Sequence, residues 1–335
     1  MNVAVDAMGG DRAPEVVVQG AVQAAKDWGI GITLVGNRGM LEDRMGPSPA
    51  DLPIRVHHCE EAVSMEDRPF RSVRQKKDSS IRVAFELCKR GEADAVVSAG
   101  NSGATLAAAI LTMGRIEGIE RPALPGIFPG ETGNILLIDV GANVDCRPVH
   151  LFQFGVMAHA FACACLGMED PKIGLLNIGE EGSKGNEQVR IAHDLFRRSR
   201  FNFIGNIEGR DLFSGQAQII VCDGFVGNVV LKMSEGIADA LSEMVRKELI
   251  GSLAEDAVTS ILQRAYERLK NKLDYAEYGG GAPILGVKGV GVVCHGGSSV
   301  KAIKNAIKMA ETFVRLNIQE HLSLHFKEYD VPLTE

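Results

Sequence analysis

Ala95-Val96-Val97-Ser98-Ala99-Gly100-Asn101-Ser102-Gly103-Ala104-Thr105-Leu106 passes from a short β-branched run, through a polar glycine loop, into an apolar segment of helical period. A run that short and continuously apolar reads as a strand covered on both faces, and Asn before Ser is a helix-start signal. The stretch is one strand–loop–helix unit, Ala95–Ser98 followed by Ser102–Met113. Working outward, the unit recurs. Further strands are expected at Val3–Asp6, Ile32–Val35, Ile54–His57, Ile135–Asp139, Ile173–Asn177, Phe201–Gly205, Ile219–Cys222 and Gly291–Cys294. Further helices are expected at Pro14–Trp28, Ser80–Arg90, Val149–Leu166, Glu187–Phe196, Asn228–Leu249, Ala254–Leu273 and Ser298–Val314. Short strands alternating with longer helices define an α/β protein with a largely parallel sheet.

Proline and glycine mark the breaks. Gly46-Pro-Ser-Pro49 is a turn-rich loop, while Arg121-Pro-Ala-Leu-Pro-Gly126 and Gly279-Gly-Gly-Ala-Pro283 read as domain crossings. Two crossings predict an outer α/β domain, residues 1–120 plus 283–335, and an inserted inner domain, 121–282, carrying a helical hairpin over 228–273. Composition agrees with an ordered chain: 45% apolar and 24% charged residues are ordinary globular values. A net charge of −7 is the wrong sign for a dedicated nucleic-acid binder, so no nucleic-acid partner is expected. Seven cysteines without a Cys-x-x-Cys spacing read as reduced thiols, and no basic n-region precedes Asp6, so a cytoplasmic protein is expected. The uncharged stretch from Pro148 to Met168 is broken by His150, Gln153 and His159 and reads as a buried core helix.

Thirty-eight of 335 residues are glycine, above the usual share of about 7%, and many sit between a strand and the following helix. Such loops are Asp6-Ala-Met-Gly9-Gly10-Asp11, Ser98 to Gly103, Asp139-Val-Gly141-Ala-Asn143, Asn177 to Asn186, Asp223-Gly224-Phe-Val-Gly227-Asn228 and Cys294 to Ser299. In a parallel sheet they all lie beyond the carboxyl ends of the strands, where open α/β folds bind ligands. Glycine admits close backbone approach, and each following helix offers free N–H groups, which suits an anion such as phosphate. Each loop taken singly also fits plain turn and cap chemistry. Nucleotide fingerprints, the nucleophile elbow and His-Glu-x-x-His are absent from the sequence. The neighbours in His57-His-Cys-Glu-Glu61 point to alternate faces, so neither a metal nor a cofactor is expected.

Two basic or amphipathic stretches stand apart. Arg68, Arg71, Arg74, Lys76 and Lys77 crowd one short segment of an acidic chain, either a solvated face or a docking patch for an acidic partner. Ile237, Leu241, Met244 and Val245 form an apolar stripe that suits packing on the second arm of the hairpin or across a dimer. The hairpin tip carries Leu249, Ile250 and Leu253, with Arg264, Arg268, Lys270 and Lys272 further along, a pattern suited to touching a membrane surface.

Asp6-Ala-Met-Gly-Gly-Asp11, Ser98-Ala-Gly-Asn-Ser-Gly-Ala104, Asn177-Ile-Gly-Glu-Glu-Gly-Ser-Lys-Gly-Asn186 and Asp223-Gly-Phe-Val-Gly-Asn228, in this order, resemble the phosphate acyltransferase family of bacterial phospholipid synthesis. The likeness runs from Asn2 to about Leu316. It implies a three-layer α/β/α fold similar to the isocitrate and isopropylmalate dehydrogenases and to phosphotransacetylase. It also implies transfer of a fatty acyl group from acyl carrier protein to inorganic phosphate, a homodimer, and association with the inner face of the cell membrane beside a downstream membrane acyltransferase. By resemblance Lys184 and Asn228 are the catalytic positions. Asp6, Gly9, Gly10, Asn101, Gly103, Gly185, Asn186, Asp223 and Gly224 are expected to line the substrate site. A coenzyme A-dependent phosphotransacetylase and a nicotinamide-dependent dehydrogenase remain as rivals with related architecture, the latter lacking its aspartate trio and cofactor loop here. A non-catalytic regulator of lipid synthesis is the remaining class.

Overall fold

In the computed structural model, which describes residues 1–46, 52–251 and 279–329, the strands form two sheets. The first is built from β1 (Asn2–Asp6), β2 (Gly31–Gly36), β3 (Ile54–His58), β4 (Ala95–Ser98), β10 (Ala282–Pro283) and β11 (Val290–Val293), in the order β10-β11-β4-β1-β2-β3. The second is built from β5 (Pro125–Gly130), β6 (Gly133–Ile138), β7 (Ile173–Asn177), β8 (Phe203–Glu208) and β9 (Ile219–Val221), in the order β5-β6-β9-β7-β8. Among the described residues the strands pair in parallel except for the edge strands β10 and β5. In the first sheet Val3 lies opposite Ile32 on one side and Ala95 on the other.

Alternation along the strands builds three layers. Val3 and Val5 pack with Val17 and Val18 of α1 (Glu15–Trp28) and with Ile303 and Ile307 of α9 (Val300–Arg315). Ala4 and Val96 turn the other way, onto Ile81 and Phe85 of α4 (Ser80–Lys89) and Ala107 of α5 (Ser102–Met113). The second sheet repeats this: Leu136 and Ile138 meet Leu151 and Phe154 of α6 (Pro148–Leu166), while Ile135 and Leu137 face the opposite layer, which Val230 and Leu231 of α8 (Gly224–Gly251) join. The remaining helices are α2 (Arg38–Met45), α3 (Pro69–Gln75), α7 (Glu187–Arg197) and α10 (Ile318–Glu328). The fold is three-layer α/β/α. Among the described residues α6 is the one helix long and apolar enough to cross a membrane, but 78% of that stretch is buried within the chain, as befits a core helix.

Both stretches expected to be connectors contain strands. Pro125 and Pro129 lie in β5 and Pro283 in β10, each an edge strand, where a residue without an N–H is tolerated. The two crossings also pair with one another, Ala123 and Leu285 exchanging N–H···O bonds of 3.0 Å. β8 begins two residues later than expected, because Phe201 turns inward to pack with Phe152 and Phe196. α2, α3 and α10 were not foreseen; α10 buries Ile318, Leu322 and Phe326 and packs on α6. The expected helix Ala254–Leu273 and the tip residue Leu253 lie outside the described residues.

Candidate active site

At the carboxyl end of the first sheet, polar groups bind one another. Asp6, only 3% exposed, accepts from Ser98 Oγ (2.7 Å) and from the Met8 N–H, and Ser98 Oγ in turn accepts from the Gly100 N–H at 3.1 Å. Burial pushes the Asp6 carboxyl above its ordinary value, against hydrogen bonds from Ser80, Ser98, Met8 and Gly9. Gly9 is wedged between Asp6 and Gly100, and Gly10 lies against Ala99 and Gly296. The Asp11 N–H donates to the Gly296 carbonyl at 2.9 Å, and Arg12 donates to the carbonyls of Gly297 and Ser298. Asn101 caps α5 through the Ala104 N–H (3.0 Å), while its amide donates to the Met65 and Asp67 carbonyls. Gly103 lies against Pro69. Asn101 and Gly103 thus fasten the segment ahead of α3, and Ser102 between them is the residue that faces the cavity described next.

At the end of the second sheet a buried carboxylate sets the geometry. Asp139, fully buried, accepts from the N–H groups of Leu124 (3.1 Å), Ala142 (3.1 Å) and Asn143 (2.7 Å) and from the Asn143 amide (2.9 Å). Burial raises its pKa while these bonds pull it down. The start of α8 docks directly on this loop: the Gly224 N–H donates to the Asn143 carbonyl (2.7 Å), and a Cβ on Gly227 would overlap the Asp139 carbonyl oxygen. α8 therefore begins at Gly224, four residues before the expected start, and its cap is Asp223, whose Oδ1 accepts the Val226 N–H at 2.8 Å. Asn228 is not a cap. It lies within the second turn, exposed, beside Gly141.

Between the two sets of loops lies a cavity of about 400 Å³. Asp11, Ser102, His295 and Cys294 line it from the first sheet, Gly141 and Asn228 from the second. Burial pushes the Cys294 thiol up to about 12, and that of Cys146 likewise, so neither offers a thiolate nucleophile.

Lys184 sits on the loop after β7 rather than on the cavity wall. Because β9 lies between β6 and β7, this loop leaves the sheet next to the one carrying Asp223. Asn177 braces it by donating to the Lys184 carbonyl at 3.1 Å, and Asn206 donates to the Glu181 carbonyl at 2.9 Å. Gly185 adopts φ +88°, with the Asn177 amide filling the place a Cβ would take. Asn186 caps α7 through the Val189 N–H at 2.9 Å. The Lys184 side chain is exposed, and among the described residues no partner holds its ammonium. Asp139, Asn177, Asn206 and the cavity residues Asp11, Ser102 and His295 were not singled out from the sequence. Asp139 was legible only as the first residue of a glycine loop.

The basic stretch is α3 and its flanks. Arg68, Arg71, Arg74 and Lys77 are exposed around Phe70, itself 48% exposed. Lys76 departs from the expected docking group: it is half-buried, paired with Asp67 at 2.7 Å, and donates to the Ala62 carbonyl. Its hydrogen bond holds the Asp67 carboxyl below the ordinary range. On α8, Met233, Ile237, Leu241 and Met244 are exposed at helical spacing. Leu249 and Ile250 lie in the last turn of α8, whose side chains fall outside the description.

Solved structures share this architecture. A phosphotransacetylase from Streptococcus pyogenes superposes with a TM-score of 0.62 at 18% identity, covering 94% of both chains. A 4-hydroxythreonine-4-phosphate dehydrogenase from Klebsiella pneumoniae gives 0.51 at 14% identity, over 94% of this chain and 98% of that one. At such identities the likeness is one of fold. In sequence, residues 1–321 match the family model described as fatty acid synthesis protein. A phosphate acyltransferase from Geobacter sulfurreducens is 52% identical over 324 residues, 96% of this chain and 93% of the relative. Another, from Nitratidesulfovibrio vulgaris, is 49% identical over 322 residues with the same coverage. Fold and relatives define an α/β/α acyltransferase. The chain belongs to the phosphate acyltransferase family.

Proposed function

We propose that this enzyme transfers a fatty acyl group from acyl carrier protein to inorganic phosphate, reversibly, and supplies acyl-phosphate for membrane phospholipid synthesis. A phosphate oxygen attacks the thioester carbonyl, the C–O bond forms, and the tetrahedral intermediate collapses with loss of the carrier thiolate, which takes its proton from solvent. Phosphate is its own nucleophile and a thiolate of pKa near ~8.5 leaves readily, so no side-chain nucleophile is needed. The observation that carries this reading is an exposed Lys184, without an ion-pair partner among the described residues, on a braced glycine loop at the same sheet edge as Asn228 and the cavity. Lys184 supplies a compact cation for phosphate or the oxyanion, and the Asn228 amide N–H supplies a second donor.

Surface features support the proposed partners. The exposed Arg68, Arg71, Arg74 and Lys77 form the docking face for the acidic carrier protein. The exposed stripe of α8 supports a homodimer. Leu249, Ile250 and Leu253 are proposed to touch the inner face of the cell membrane from a cytoplasmic enzyme, either directly or beside a downstream acyltransferase. The split of the strands between two sheets supports an outer domain of 1–120 plus 283–335 and an inner domain of 121–282, with α10 tied across to α6.

The test is mass detection of acyl-phosphate after incubation with inorganic phosphate and acyl thioesters of carrier protein or of coenzyme A, side by side. Faster formation from the carrier-protein thioester is expected. Formation from coenzyme A thioester alone would move the assignment to a phosphotransacetylase, and no acyl-phosphate from either donor would refute the proposal.

A further inference from the structure

Away from the loops that carry Lys184 and Asn228, α6 and α10 bring together three side chains of metal-ligating type. His159 and Cys163 stand four residues apart on α6 and so share one face. His325, in the last turn of α10, meets them from the packed neighbour. One ligand atom from each lies within 4.8 Å of the other two, and Cys163 Sγ is 3.8 Å from His159 Nδ1. A tetrahedral ion with Zn–S of about 2.3 Å and Zn–N of about 2.0–2.1 Å separates S from N by about 3.6 Å. The α6 pair therefore stands close to ligand spacing already, and His325 needs to close by about an ångström at most.

The surroundings suit a bound ion. Phe201 lies 5.1 Å from the His159 ring and is stacked by Tyr329 at 4.1 Å, which walls one side with apolar rings. Cys163 lies roughly 20 Å along α6 from Pro148, at the end remote from the Asp139 loop. The acyl-transfer chemistry uses none of these residues.

We propose that His159, Cys163 and His325 form a site for a zinc-class divalent cation that fastens the C-terminal helix α10 to the core helix α6. Two imidazoles and a thiolate select a borderline-soft ion over magnesium or calcium, and water completes the tetrahedron. As the S–metal bond forms, the Cys163 thiol releases its proton to solvent, with no change of oxidation state.

The experiment uses the full chain, stripped with chelator and titrated with Zn²⁺ and, separately, Co²⁺. The expected result is one ion per chain, a sulfur-to-cobalt charge-transfer band, a higher melting temperature with zinc, and slower tryptic cleavage at the exposed Lys327. Cys163→Ser should lose the band, and His325→Gln should weaken zinc binding at least ~10-fold, as loss of metal-site partners does. Cys165→Ser, two positions along the helix, should keep both. Circular dichroism establishes that each variant is folded, and the half-buried His325 can be replaced without hollowing the core. Absence of stoichiometric zinc in the wild type, or unchanged zinc affinity in both folded Cys163→Ser and His325→Gln, would overturn the proposal.

Discussion

The loops at the ends of the two sheets have the same composition, glycine with Asp, Asn or Ser between a strand and a helix, and they use it differently. Around the first sheet the side chains are taken up by neighbouring groups of the protein: Asp6 by the Ser98 hydroxyl, Asn101 by the Ala104 N–H and the Met65 carbonyl, Arg12 by the Gly297 and Ser298 carbonyls. Around the second, one buried carboxylate, Asp139, holds the scaffold, while an exposed ammonium stands on the loop after β7 and an exposed amide in the second turn of α8. A glycine loop is thus open to two separable uses, building a rigid rim and, as proposed for the loops of Lys184 and Asn228, presenting groups to a ligand. Sequence alone does not say which loop has which.

The largest effect that tests this contrast falls on Asp139. Asp139→Ala leaves the N–H groups of Leu124, Ala142 and Asn143 buried without their acceptor, and should cost about 3 kcal/mol in urea unfolding, with activity lost in step. A stable variant would mean that Asp139 does not hold the second rim. Next come Asn228 and Asp223. Asn228→Ala should slow acyl-phosphate formation about tenfold with an unchanged melting temperature, while Asp223→Ala, which removes the α8 cap, should cost about 1 kcal/mol. Exchange of those two outcomes would give the capping role to Asn228. Replacing Arg71 and Arg74 with Glu should raise KM for acyl carrier protein about threefold to tenfold in low salt and leave kcat alone. An unaltered KM would make the α3 face mere solvated surface.

The smallest effect concerns the carboxylate that removes Lys76 from that face. The Lys76 hydrogen bond lowers the Asp67 pKa in the folded state, so its contribution is present above the ordinary carboxylate value and is lost as pH falls through the lowered one. In Lys76→Ala the Asp67 titration followed by NMR should move upward, toward the ordinary value. An Asp67 that titrates as before would show that the pair does not restrain Lys76.

Much of the fold was legible because local and long-range signals agreed. β4, β7 and α5 fall at the residues expected, since each strand is a continuous apolar run and Asn101 marks the helix start. β5 and β10 were hidden by prolines that only an edge strand accepts. The start of α8 was hidden because Gly224 and Gly227 look like loop, whereas they let a helix close on the Asp139 turn. At the site, Lys184 and Asn228 came from motif resemblance. The walls given by Asp11, Ser102 and His295 depend on how the ends of two sheets meet, which no local pattern encodes.

The central claim, that Lys184 and Asn228 on the second rim act on the substrate while the buried Asp6 of the first rim only builds, is tested most directly by Lys184→Ala in the acyl-phosphate assay, with Asp6→Ala beside it. Lys184→Ala should melt like the wild type and lose at least ~10²-fold in turnover, the scale of removing one oxyanion donor. Folded Asp6→Ala should turn over within a few-fold of the wild type. Near-normal turnover in Lys184→Ala, or a folded Asp6→Ala as inactive as it, would contradict that division.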